Sequence, residues 1–278
     1  MKTLKAMICV LLAALLLAGC AATPPEDTKP HTTTAPDTTP AQTEATVETT
    51  VAAELSAPVY PERSVTALPE KANVEDVVSS YWEETLEWVD KPGNACSLPI
   101  AIPQIYPFSD DAIRCEKEIF DILFPIAEET LANMEEKLSQ SWAKIGYEAF
   151  VNEDVLSLVI VKETDYDLTE YHVYNLDLAT GKQLTKADLL AQLLVSEDDF
   201  SSAAERAVEE TFVNRYGEKE KQSDQDFYQE QLERSLSKEN LEKTEIYLDA
   251  EGKAVLVADV YAMAGAASYP TRIPLNFE

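Results

Sequence analysis

Few side chains in this chain are equipped for catalysis, and their spacing narrows the choice further. Of 278 residues, two are histidine (His31 and His172) and four are cysteine. That leaves little for a histidine relay or a multi-histidine metal centre. No G-x-S-x-G, H-E-x-x-H or C-x-x-C occurs, so the common nucleophile and zinc signatures are missing. The 7 glycines are widely scattered, which removes the dinucleotide fingerprint and the P-loop. Asp165, Asp167 and Glu170 invite a calcium test. An EF-hand loop begun at Asp165 needs Gly at position 6 and Glu at position 12, where the chain has Glu170 and Leu176. A solvated acidic loop is the simpler reading, and no metal or cofactor is expected. With 51 Asp plus Glu, carboxylates spaced for glycoside hydrolysis arise by chance. His172, within Tyr171-His172-Val173-Tyr174, reads as a satisfied strand residue. The expectation is a protein with no catalytic residues, not an enzyme.

The aromatic residues point elsewhere. Tyr166, Tyr171, Tyr174, Tyr247, Tyr261 and Tyr269 all fall in strand and turn regions. Core and cross-strand pairing accounts for most of them. Tyrosines left exposed make good contacts for a protein or glycan, and Tyr171, Tyr174, Tyr261 and Tyr269 are the candidates. Against 22 Lys plus Arg the acidic groups give a net charge of −29. A chain this acidic repels phosphate backbones, so nucleic acid is not an expected partner.

What positions these residues begins with the first twenty, MKTLKAMICVLLAALLLAGC. Lys2 and Lys5 precede an apolar run, Ala6 to Ala18, that falls short of the roughly 20 residues a membrane span needs. This is the pattern of a cleaved export signal, and Leu17-Ala18-Gly19-Cys20 resembles a bacterial lipobox. Residues 1–19 are read as a lipoprotein signal peptide and Cys20 as the lipidated mature N-terminus, since two acyl chains anchor stably where one is marginal. The protein is thus expected on the extracytoplasmic face of the cell membrane. Losing Lys2 and Lys5 moves the net charge from −29 to −31.

Residues 20–72 read as a Thr/Pro-rich disordered linker, because Ala21 to Pro58 lacks aromatics and has almost no large aliphatics to bury. Residues 73–278 read as the folded body, long enough for a real core. From residue 71 on there are 43 acidic and 18 basic groups, a charge of −25. Two body cysteines remain. A Cys96–Cys115 disulfide, worth roughly 3 kcal/mol for such a loop, and two buried free thiols both stay open.

Within the body, Tyr81 to Val89 alternates with Trp82, Leu86 and Trp88 on one face. The turn Asp90-Lys91-Pro92-Gly93-Asn94 leads to a strand over 97–105, where Pro99 and Pro103 suggest an edge or a bulge. Ser109 caps a helix carrying Ile113, Phe120, Phe124, Ala127 and Leu131, with Glu116, Glu128 and Glu129 on its wet face and a kink or interruption at Pro125. Strands at about 143–152, 155–164 and 170–178 read as an antiparallel meander. A helical segment starts at Leu184, a second is capped by Ser196 and stopped by Gly217, and a third carries Tyr228, Leu232 and Leu236. A hairpin over 245–260 and a strand at 272–277 close the chain. The order implies an α+β fold, an antiparallel sheet with helices packed on it.

Three segments carry a resemblance. Ser97-Leu-Pro-Ile-Ala-Ile-Pro-Gln-Ile105 with Ala112-Ile113 and Glu118-Ile119 forms an opening. Tyr174-Asn-Leu-Asp-Leu-Ala-Thr-Gly-Lys182 with Leu184-Thr185 and Asp188-Leu189-Leu190 forms a central signature, and Ile246-Tyr-Leu-Asp-Ala-Glu-Gly252 with Tyr261 a closing hairpin. Over about residues 80–278 the chain resembles bacterial extracytoplasmic modules of domains of unknown function 4163 and 3298. These occur in lysozyme-sensing anti-sigma factor ectodomains and in the N-terminal part of some peptidoglycan deacetylases. The chain carries neither an anti-sigma segment nor a deacetylase domain, so the resemblance implies binding or sensing alone. The ligand it implies is a lysozyme-like cationic protein or a cell-wall glycan such as peptidoglycan. A hydrolase using paired carboxylates and a structural envelope protein are the competing expectations.

Overall fold

The computed structural model describes residues 60–69, 71–89, 93, 95–135, 143–164, 168–264 and 267–277. The export signal, Cys20 and the spacer up to residue 59 lie outside the described residues, as do Asp165, Tyr166 and Asp167.

A short helix α1 (Val74–Val77) runs into β1 (Val78–Val89), which pairs antiparallel with β2 (Ala95–Ile105). The register shifts between Ser80 and Trp82, opposite Pro103 and Ile102. This is the bulge the prolines suggested, although the edge strand is β1 rather than β2. A parallel neighbour needs a crossover, and α2 (Asp110–Glu135) supplies it, because β2 meets β3 (Ala143–Asn152) in parallel at Ile100 and Ile145. Ser109 caps α2, its Oγ accepting from the Ala112 amide at 3.0 Å. The helix continues through Pro125, so of the two expected outcomes the interruption does not occur. Pro125 is exposed, so water reaches the carbonyl its ring leaves unbonded, while Leu123 and Ala127 stay anchored in the core.

β3, β4 (Val155–Thr164) and β5 (Thr169–Asp177) form the expected antiparallel meander, and β6 (Gln183–Leu184) completes a six-stranded sheet in the order β1 to β6. Leu184 therefore closes a sheet instead of opening a helix. At the β5–β6 turn Gly181 has φ +74°, and a Cβ there would lie 2.5 Å from Ser109 Cβ. Only glycine fits where this turn abuts the start of α2.

α3 (Lys186–Gln192), α4 (Glu197–Ser223), α5 (Gln225–Ser235) and α6 (Lys238–Glu242) follow. Gly217 breaks α4 with φ +56° and ψ −169°, in keeping with the stop expected there, and helix continues beyond it. β7 (Glu245–Leu248), β8 (Ala254–Tyr261) and β9 (Ser268–Pro274) form a separate three-stranded antiparallel sheet. The final strand thus starts four residues before the expected Arg272, and the fold has two sheets where one was expected. The mixed α+β class stands.

The two sheets stack face to face. Leu156, Leu158 and Ile160 point into a core shared with α2. Val159, between them on the opposite face, packs with Tyr247, Val255 and Val257 of the second sheet. The far side of that sheet, with Ile246, Leu256 and Val260, packs against Phe200, Val208 and Phe212 of α4. β4 is buried on both faces, which explains why Val155-Leu-Ser-Leu-Val-Ile lacks polar alternation.

Part of the stretch read as linker packs on the body. The Tyr60 ring meets Phe120 edge-on at 5.5 Å. The Thr66 amide donates to the Pro107 carbonyl at 2.8 Å, and Leu68 and Ala72 pack on the α2 core. Arg63 Nη2 donates to Glu116 Oε1 at 2.7 Å. Glu116, read as part of the wet face of α2, is instead only 2% exposed, because this strap covers it. Its neighbour Cys115 is a buried free thiol, which burial pushes up to about 12. It forms no bridge to Cys96, whose side chain lies outside the described residues.

One helix end has an unusual occupant. α3 closes with the Val195 amide on the Leu190 carbonyl (3.0 Å) and the Leu194 amide on the Ala191 carbonyl (3.2 Å), a Schellman motif whose left-handed residue is normally glycine. Here it is Leu194, at φ +57° and 93% exposed. The left-handed backbone costs an L-residue about 1 kcal/mol or more. Leu194→Gly is therefore expected to raise unfolding stability by roughly 0.5–1 kcal/mol in urea denaturation. A loss of stability would show that the leucine side chain packs against the protein in solution.

Candidate functional site

The four candidate tyrosines fall into three environments. Tyr174 is buried in the α2 core, and its hydroxyl donates to Glu118 Oε1 at 3.2 Å. Burial, followed by the Glu118 charge, holds that phenol well above the usual tyrosine range. Tyr261 is half-buried, with the Arg234 guanidinium over its ring at 4.3 Å. Neither lines the cleft that the other two share. Tyr171 and Tyr269 do come together, on one open cleft of about 450 Å³.

Two strand edges and a helix build this cleft. β5 pairs with β6 only at Asn175 and Leu176, so its outer edge from Thr169 to Tyr174 borders no further strand of its sheet. β9 is the outer strand of the second sheet and brings Tyr269, Thr271 and Arg272. α4 adds Arg215, its Nη2 donating to Thr271 Oγ1 at 3.1 Å. Tyr269 is 37% exposed. Arg272 fixes the seam between the sheets: its Nη1 donates to both Glu148 carboxylate oxygens at 2.8 Å, and its guanidinium lies 5.4 Å from the centre of the Tyr171 ring. Burial works against the Arg272 charge, but Glu148 overrides it and holds the group above its ordinary range.

A second cleft of about 300 Å³ adjoins the first, sharing Tyr171 and Pro270. His172, Lys243, Glu170, Glu245 and Asp259 line it. Desolvation pushes the Glu245 carboxyl up, against the Val173 amide and Lys186, which favour its charge. Glu170 is engaged by Lys162 at 2.6 Å. His172 thus lies at a cleft wall, where the strand reading had placed no ligand contact. A third cleft of about 570 Å³ opens between α3, α4 and α6. Its Lys186 is spent on structure, donating to the Thr244 carbonyl at 2.8 Å and the Glu242 carbonyl at 3.2 Å.

Among the described residues no group of three or more His, Cys, Asp or Glu converges to hold a metal, and no helix is long and apolar enough to cross a membrane. Of the residues lining the first cleft, the sequence pointed to Tyr171 and Tyr269 as contact candidates and did not point to Arg215 or Arg272. The run Tyr269-Pro270-Thr271-Arg272 could have flagged the second, whereas Arg215 reaches the cleft only through the packing of α4.

No protein-family model matches the chain, and no curated protein matches it. Among solved structures, the crystal structure of a member of the duf3298 family from Bacteroides fragilis is 12% identical. It covers 43% of this chain and 69% of that one, with a TM-score of 0.21.

Proposed function

We propose that the protein is a lipid-anchored binding module of the bacterial cell envelope, tethered through Cys20, and that it binds cell-wall glycan in the Tyr171 cleft. One observation carries this reading: Tyr171 and Tyr269 share a cleft with hydroxyl and guanidinium donors on its walls. A sugar offers an apolar C–H face and a rim of hydroxyls. Aromatic surface with a few fixed polar groups is the matching chemistry. The lipobox at Cys20 and the spacer behind it support a body held clear of the membrane.

A second reading, capture of a lysozyme-like cationic protein, is supported by the charge of −25 from residue 71 on, since opposite charge speeds encounter. A third, hydrolysis by paired carboxylates, draws on the raised Glu245 in the adjoining cleft. One experiment separates them. The full chain is sedimented with purified peptidoglycan sacculi, and in parallel passed over immobilised lysozyme, at low and high salt. Glycan binding through stacking is expected to survive high salt, whereas charge-driven capture fades as screening shortens its reach. Failure to co-sediment at either salt overturns the glycan reading. Release of reducing sugar favours the hydrolase. Cys20→Ser is expected to move the protein from the membrane fraction to the medium without changing sedimentation with sacculi.

A further inference from the structure

We propose that the Tyr171 cleft selects saccharides that bear a carboxylate, with Arg215 as the residue that reads the anion; this rests on the glycan reading above. From residue 71 on, acidic groups outnumber basic ones 43 to 18. The cleft reverses that balance, since among the described residues its walls carry Arg215 and Arg272 and no carboxylate.

The two guanidiniums have different duties. Arg272 is committed, with Nη1 on both Glu148 oxygens and its guanidinium carbon 5.4 Å from the centre of the Tyr171 ring. Among the described residues Arg215 makes one hydrogen bond, to Thr271 Oγ1 at 3.1 Å, and no carboxylate reaches ion-pair distance of it. A guanidinium has five N–H donors in a rigid fork that matches a carboxylate's two oxygens. Arg215 therefore stands at the cleft wall with most of its donors open, held in place by Thr271. A neutral sugar would leave that charge unused. A pyranose stacked on Tyr171 or Tyr269 and carrying an acidic substituent would fill it with charge-assisted bonds, roughly twice as strong as neutral ones. Two kinds of sugar have this chemistry, an amino sugar with an acidic ether side chain and a uronic acid.

The test is titration calorimetry on the full chain with three tetrasaccharides: one built of alternating N-acetylglucosamine and N-acetylmuramic acid, one of N-acetylglucosamine alone, and one containing glucuronic acid. The wild type is expected to favour at least one acidic ligand over the neutral one by about tenfold, and the better acidic arm identifies the source. Arg215→Gln is expected to remove that preference, bringing the acidic and neutral ligands to equal affinity, with Arg215→Lys in between. An unchanged thermal unfolding midpoint shows that the variant is folded. Equal binding of acidic and neutral ligands by the wild type, or a preference that survives Arg215→Gln, overturns the inference and leaves the glycan reading standing. Binding of none of the three overturns both.

Discussion

Arg63→Ala is expected to lower unfolding stability by about 3 kcal/mol, because it strands a buried carboxylate. The Glu116 side chain is 3% exposed and that of Arg63 17%, so neither is well hydrated. Burial already pushes the Glu116 carboxyl up despite the attraction of Arg63. Without the guanidinium it rises further and the group takes up a proton. The pH dependence follows. A carboxyl raised in the folded state contributes most below its unfolded value of about 4.3, and that contribution is lost as pH rises through the folded value. The deficit of Arg63→Ala should therefore shrink on acidification, measured by urea denaturation at neutral and mildly acidic pH. Replacing both residues by methionine removes the stranded charge and should return to within about 1 kcal/mol of wild type. If Arg63→Ala is as stable as wild type, the strap over Glu116 is not held in solution.

Asn175→Ala is expected to cost a further class of variant about 3 kcal/mol. Asn175 and Ser157 are buried between the two sheets. Ser157 Oγ donates to Asn175 Oδ1 at 2.7 Å, Asn175 Nδ2 donates to the Ile246 carbonyl at 2.8 Å, and the Leu248 amide donates to Ser157 Oγ at 3.0 Å. β7 is an edge strand of its sheet, so these side chains satisfy backbone groups that no neighbouring strand reaches. The substitution orphans the Ile246 carbonyl and the Ser157 hydroxyl, at roughly 1–3 kcal/mol each. For a body of this size the midpoint should fall by about 6–12 °C. A shift of less than about 2 °C would show that water enters the seam and replaces the amide.

The same contrast between local and distant causes decides what was legible in the residues alone. β3 lies where alternation puts it, 143–152, and the Asn152-Glu153-Asp154 turn sets the start of β4 at 155, since both signals are local. The caps Ser109 and Ser196 were legible for the same reason. The separation of β7 to β9 into a second sheet was not, because alternation does not name a strand's partner. The apolar run in β4 was the available clue, as a strand without polar alternation has both faces covered. Glu116 was misread because helical periodicity cannot anticipate a strap from fifty residues upstream. Of the site, Tyr171 and Tyr269 were picked by residue type and strand position, and Tyr174 and Tyr261 by the same rule. What separates the pairs is position: Tyr174 is buried against Glu118 and Tyr261 lies outside the cleft that Tyr171 and Tyr269 line, both set by packing between elements.

Hydrogen exchange of the full chain with and without the acidic tetrasaccharide bears most directly on glycan binding at the Tyr171 cleft. The β5 edge borders the cleft, so backbone amides over 168–173 and 268–272 should slow on binding, while those of β1 and β2 on the far side of the larger sheet should not. Protection confined to α2 or to the β1–β2 hairpin, or no protection at saturating ligand, would contradict the assignment of this cleft as the binding site.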